Sequence, residues 1–138
     1  MTQKAIISGV HHVGLTVPDV DETCGFFVDV LGFEKLGSRL DYPVTFIKDG
    51  GVILSLWRVQ DDRALIPFER KNTVGLHHLA LMVDGDDDLE TAYNRLRVAP
   101  GVEIEFAPEW LGSGPNRHMM CLIPGGIRLE LIALGKQV

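Results

Sequence analysis

The chain has 138 residues, the size of one ordinary domain or two very small modules, with 46% hydrophobic and 23% charged residues. Its formal net charge is −6 and it has no basic run, which argues against nucleic acid and anionic membrane surfaces as partners. Cys24 and Cys121 stand far apart with no Cys-x-x-Cys spacing, so a reducing cytoplasm is expected, with no signal peptide and no apolar run long enough to span a membrane.

In chain order, Gly9 to Val17 alternates with strand period: Val13, Leu15 and Val17 share one face, and His12, Gly14 and Thr16 the other. Asp19 then reads as a helix N-cap with Glu22 three residues on; Val20, Cys24, Phe27 and Leu31 recur at helical spacing and Gly32 stops the helix. Strands are expected over 33–40, 44–48 and 52–59, the last two joined by the turn Asp49-Gly50-Gly51. Residues 60–73 are polar and irregular and read as a linker. A second series follows: a strand over 76–83, a helix whose start carries Asp86, Asp87 and Asp88 and whose apolar stripe is Leu89, Tyr93 and Leu96, and a stop at Pro100-Gly101. Strands over 102–106, 117–123 and 127–134 complete it, with a Gly/Pro-rich loop over 108–116.

The two series are one module written twice. Val10-His11-His12-Val13-Gly14-Leu15 matches Leu76-His77-His78-Leu79-Ala80-Leu81, 66 residues on, and Gly50-Gly51-Val52-Ile53-Leu54-Ser55-Leu56 matches Gly125-Gly126-Ile127-Arg128-Leu129-Glu130-Leu131, 75 residues on. The expected fold is therefore α+β: two tandem βαβββ modules, about 9–59 and 74–134 in a single domain over 1–138, forming a curved, cup-like mixed sheet with the helices outside.

Strand parity places His12, His78 and Glu130 on faces opposite the helix-facing apolar sets, pointing into the cup. Two imidazoles and a carboxylate in a concave site make a candidate divalent-metal site, and such a set with open positions is typical of non-haem Fe(II) oxygenases. Plainer readings stand beside it. A strand histidine is more often structural or exposed, and Glu130, costly to bury unpaired, could pair with Arg128 or Arg117. His11 and His77 fall on the opposite face and read as strand-start residues. Around the set, Ser55 occupies the position of Glu130 in the first copy, and Trp57 shares its face. Phe46 and Met120 are candidate pocket lining, and Arg117 is a candidate partner for an anionic substrate. His118, in phase with Met120, is a candidate proton carrier.

The paired modules, the His-x-x-x-x-x-x-Asp opening at His12…Asp19, the matching His78 and the Arg-Leu-Glu-Leu-Ile around Glu130 resemble the vicinal oxygen chelate superfamily, which includes glyoxalase I, methylmalonyl-CoA epimerase, extradiol ring-cleaving dioxygenases, fosfomycin-resistance transferases and bleomycin-binding proteins. The resemblance runs from about residue 9 to 134. It implies that His12, His78 and Glu130 hold one divalent metal ion (Fe2+, Mn2+, Ni2+ or Zn2+), which would bind neighbouring oxygens of a small-molecule substrate. It also implies a homodimer, with the site either within one chain or shared between two. Glyoxalase I commonly carries a fourth ligand, glutamate or glutamine, where this chain has Ser55; the His-His-Glu set instead resembles the extradiol dioxygenases, which are longer, and the fosfomycin-resistance enzymes. Two reaction classes follow, an isomerase or lyase of the glyoxalase type with His118 and Glu130 handling protons, and a ring-cleaving dioxygenase. The alternative is a non-catalytic small-ligand binder of the bleomycin-resistance type.

Overall fold

The computed structural model of the chain describes residues 2–135. In order, these residues form β1 (Val13–Val17), α1 (Val20–Asp29), β2 (Glu34–Arg39), β3 (Val44–Asp49), β4 (Val52–Arg58), a short 3-10 turn (Asp62–Ala64), β5 (Leu79–Val83), α2 (Asp86–Leu96), β6 (Glu103–Trp110), β7 (Arg117–Leu122) and β8 (Arg128–Ala133). The strands make two four-stranded mixed sheets, ordered β1-β4-β3-β2 and β5-β8-β7-β6, and among the described residues they close no barrel. Each is one βαβββ module. Its first strand lies parallel to its last, and the remaining neighbours are antiparallel. The expected α+β class and tandem arrangement are what the chain adopts.

Register carries the repeat into three dimensions. Gly14 sits opposite Ser55 across β1 and β4, and Ala80 opposite Glu130 across β5 and β8. Ser55 and Glu130 are therefore equivalent positions. Across the next ladder Ser55 faces Phe46 and Glu130 faces Met120. Helix α1 starts as expected, with Asp19 Oδ1 accepting the backbone N–H of Glu22 at 3.0 Å, which satisfies one otherwise unpaired donor of the first turn.

Three expectations need correction. The strand expected from residue 9, and its copy expected from residue 76, begin only at Val13 and Leu79, because that is where β4 and β8 start to supply partners; both His-His pairs lie just before their strands. The loop expected over 108–116 is shorter. Strand β6 runs on to Trp110 through Pro108, and the register shift between Phe106 and Glu109 leaves that proline, which lacks an N–H, outside the ladder. The linker is not wholly irregular: Asp61 caps the 3-10 turn by accepting from the Arg63 backbone N–H at 3.0 Å.

One apolar core serves both modules. Leu15, Val17, Phe27, Leu54 and Leu56 from the first belong to the same cluster as Leu89, Leu96, Met119, Leu129 and Leu131 from the second. The β7–β8 turn is lodged in the first module. Thr23 Oγ1 donates to the Pro124 carbonyl at 3.0 Å, and a Cβ on Gly125, at φ +100, would come within 2.9 Å of both Thr23 Oγ1 and Val17 Cγ1. Only glycine meets both demands there. Because alternate strand residues face opposite ways, the sheet faces bearing position 55 and position 130 are turned away from this core.

Candidate functional site

On the outer face of the second sheet, three of the residues picked from the sequence meet. The Glu130 carboxylate is 12% exposed and lies between two imidazoles. His78 Nε2 is 3.3 Å from Glu130 Oε1, and His118 Nδ1 is 2.6 Å from Glu130 Oε2. A carboxylate only accepts, so His118 donates from Nδ1. The short charge-assisted bond fixes the imidazole and leaves Nε2 as its free nitrogen, 3.8 Å from Glu109 Oε1. The ring of Phe106 leans against His118, with centroids 4.9 Å apart. His118 reaches Glu130 diagonally across the β7–β8 ladder, past Met120, which lies directly opposite the glutamate and is buried.

The neighbours offered by sequence as ion-pair partners for Glu130 are engaged elsewhere. Arg128, 7% exposed, makes a two-pronged pair with Glu105, Nε to Oε1 at 2.9 Å and Nη2 to Oε2 at 2.6 Å. Arg70, from the linker, adds a third bond to Oε1 at 2.7 Å. The Arg128 hydrogen bonds hold the Glu105 carboxyl below the usual glutamate range, and the same bonds raise the Arg128 guanidinium. Arg117 is on the opposite side of β7 from His118. It donates to the Pro108 carbonyl at 3.3 Å, lies 3.4 Å from Glu90 Oε1 on α2 and stacks over Trp110, so it does not reach the face that bears Glu130.

His12 occupies the matching place on the first module. It is exposed and its ring contacts His11, Nδ1 to Nδ1 at 2.9 Å, as His78 contacts His77 at 2.7 Å. Among the described residues no side-chain hydrogen bond or ion pair joins His12 to His78 or Glu130, and no group of three or more His, Cys, Asp or Glu is placed to hold a metal ion. The face beside His12 is aromatic. Ser55 is fully buried, accepts the Trp57 Nε1–H at 2.9 Å and is roofed by that indole, and Trp57 packs edge-on against Tyr42. Phe46 is half-buried beside them. Gly14 belongs to the same cluster, since a Cβ there would come within 3.2 Å of Ser55 Oγ.

As a donor set for a divalent cation, His78 and Glu130 fit. Two ligands each about 2.1 Å from one ion and at right angles to each other are about 3 Å apart, close to the 3.3 Å between Nε2 and Oε1. The pair supplies two donors, and the third candidate, His12, lies in the other module just before β1. A cavity of about 1020 Å³ exists elsewhere, lined by Asp84, Asp86–Asp88, Trp110 and Leu134, and contains none of these residues. The candidate site is an open sheet face.

Sequence reasoning missed Glu105, Arg70 and the contact of Arg128 with His77. Alternation puts Glu105 on the face of Glu103, which lies opposite Leu122 and so on the side of the sheet that bears Arg128. That the two meet depends on the register of β6 and β8 across β7, which neither strand shows by itself.

The sequence pattern of the Glyoxalase/Bleomycin resistance protein/Dioxygenase superfamily matches residues 9–131. The chain is 33% identical to a 2-epi-5-epi-valiolone epimerase of Actinomyces sp. over 91% of its own length and 79% of that protein. It is 28% identical to a catechol-2,3-dioxygenase of Bacillus subtilis (strain 168), covering 70% of this chain but a third (33%) of the relative. Among solved structures, a glyoxylase/bleomycin resistance protein/dioxygenase domain from Frankia sp. EAN1pec superposes with a TM-score of 0.82 at 27% identity, over 96% of this chain and 95% of that one.

Proposed function

Since the chain belongs to the Glyoxalase/Bleomycin resistance protein/Dioxygenase superfamily, we propose that it is a divalent-cation-dependent enzyme that moves a proton beside a carbonyl of a small substrate with neighbouring oxygens, an isomerase of the glyoxalase type. The observation that carries this reading is the His118–Glu130–His78 cluster, an acid–base pair set directly against a candidate ligand pair. The likeness to an epimerase over most of both chains supports it. Epimerisation next to a ketone needs a group that removes a proton and one that returns it. His78 Nε2, Glu130 Oε1 and His12 would hold the cation, one of Fe2+, Mn2+, Ni2+ or Zn2+. When bound, the cation supplies a Lewis acid for the negative charge that develops on the substrate oxygens. His118 orients Glu130 through Nδ1 and takes or gives a proton at Nε2. Trp57 and Phe46, with Ser55 buried beneath, form a wall for the carbon skeleton, and Met120 lines the opposite side.

A second copy of the chain completes the site in this reading. β1 and β5 are sheet edges, and Gly14, Thr16, Ala80 and Met82, in phase with His12 and His78, are exposed; a homodimer that covers these faces brings His12 of one copy to His78 and Glu130 of the other. A reducing cytoplasm fits Cys24 and Cys121, both free and buried. A second reading, O2-dependent cleavage of a catechol-like ring with Fe2+, is supported by the two-imidazole, one-carboxylate set and the likeness to a catechol-2,3-dioxygenase. A non-catalytic binder of the bleomycin-resistance type would need no cation.

Complementation tests the first reading. His12→Ala and His78→Ala are each expected to purify folded and dimeric without metal. Mixed, unfolded and refolded together, they should regain about a quarter of the wild-type metal content, because half the dimers are mixed and each mixed dimer keeps one intact site. No recovery from the mixture would place the site within one chain. Stoichiometric metal in either single variant would remove that histidine from the set. Metal analysis after anaerobic purification separates the reactions: iron with O2 uptake on a catechol overturns the isomerase, and full ligand binding without metal overturns both.

A further inference from the structure

The His-His pairs of the two modules have the same local geometry but different surroundings. In the second module His77 Nδ1 lies 2.7 Å from His78 Nδ1 and 3.3 Å from Arg128 Nη1. In the first, His11 Nδ1 lies 2.9 Å from His12 Nδ1, and the position equivalent to Arg128 is Ile53, which has no charge. A guanidinium is always a donor, and this one is held in place by its paired bonds to Glu105. His77 Nδ1 must therefore present its lone pair to Arg128. The shorter contact, at 2.7 Å, is then satisfied only if His78 donates from Nδ1 to the same lone pair, which Arg128 shares at the longer 3.3 Å in a three-centre bond.

We propose that Arg128, acting through His77, is a positioning residue that keeps the hydrogen of the His78 ring on Nδ1 and leaves Nε2 bare toward Glu130. Without it, Glu130 Oε1, 3.3 Å from Nε2, would draw the hydrogen to Nε2, the nitrogen that a cation would need. The alternative arrangement sets two lone pairs against each other at 2.7 Å. The bulged Glu105 and the linker residue Arg70 belong to the same device, since both hold the guanidinium end of the chain of bonds. The first module has no such device, so His12 takes either ring form. The importance of this order for the cation rests on the function proposed above; the hydrogen-bond order itself does not.

Nitrogen NMR of the metal-free, 15N-labelled protein, at a pH well above the ordinary imidazole range, reads both rings directly. His78 is expected to show a hydrogen-bearing Nδ1 and a bare Nε2, with His12 as a mixture. The reverse pattern at His78 overturns the proposal. Arg128→Met risks misfolding by stranding Glu105, so the discriminating pair is His77→Leu and His77→Gln at an exposed position. His77→Leu should shift His78 toward an Nε2-bound hydrogen and weaken Zn2+ binding by about tenfold. His77→Gln, whose amide oxygen can accept from both neighbours, should restore both readings. If His77→Leu changes neither the ring form nor Zn2+ affinity, the positioning role fails while the metal site stands. If wild type shows the expected ring form but binds no Zn2+, the metal reading fails and the hydrogen-bond order stands.

Discussion

The two modules present the same backbone surface with opposite chemistry. Where the first has Ser55, Ile53, Phe46, Val44 and Gly14, the second has Glu130, Arg128, Met120, His118 and Ala80 at positions matched by register. The first surface is an aromatic wall whose one buried hydroxyl is spent on an indole. The second collects a carboxylate, two imidazoles and an arginine anchored by a glutamate. A sheet that repeats its register exactly where side chains diverge separates scaffold from chemistry. The core-facing leucines recur in both copies, as Leu54 and Leu56 do in Leu129 and Leu131, while the outer face is free to specialise.

The largest test of this division compares the matched positions. Glu130→Ala should weaken divalent-cation binding by more than about 100-fold, beyond what loss of a supporting residue costs, whereas Ser55→Ala should leave it within about twofold. Isothermal titration with Mn2+ or Zn2+ measures both; equal effects would erase the distinction. Next, Ser55→Glu asks whether the wall can be converted. A carboxylate placed under Trp57 has the indole N–H but no cationic partner there, and about 3 kcal/mol or more of stability should be lost in urea titration. Recovery of that loss on adding the cation would mean that position 55 borders the metal. The smallest effect concerns the anchor. With the Glu105 carboxyl held below the ordinary 4.5 mainly by the hydrogen bonds from Arg128, its contribution is complete above that value and fades as pH falls through the lowered one. Glu105→Gln should therefore cost about 1–2 kcal/mol at neutral pH, and the gap to wild type should close on acidification. Urea midpoints across pH would report it; a gap that persists in acid would mean that packing, not charge, is at work.

Much of this was legible in the residues. The 66- and 75-residue offsets fix the two modules, and parity alone puts position 130 on the face opposite Leu129 and Leu131 and pairs it with position 55. Convergence across strands was harder to read. His118 meets Glu130 along a diagonal that depends on the register of β7 against β8, whereas Arg117, one residue earlier, falls on the other side by strand alternation alone. Glu105 shares the face of Arg128 by alternation, but their meeting depends on the register of β6 and β8 across β7, which no single strand encodes. Pro108 argued for a loop, and only the register shift beside it lets the strand continue to Trp110. The relation of His12 to the other donors involves surfaces far apart in sequence, and no local pattern encodes it.

The two hairpin ends differ in a way that bears on engineering. At the tip of the first module, Gly50 and Gly51 have no neighbouring atoms within reach of an added side chain, whereas Gly125 is wedged between Val17 and Thr23. Extra sequence, such as an epitope or a reporter peptide, can be spliced into the first tip without disturbing the interior. The same splice at the second would pry the halves of the molecule apart.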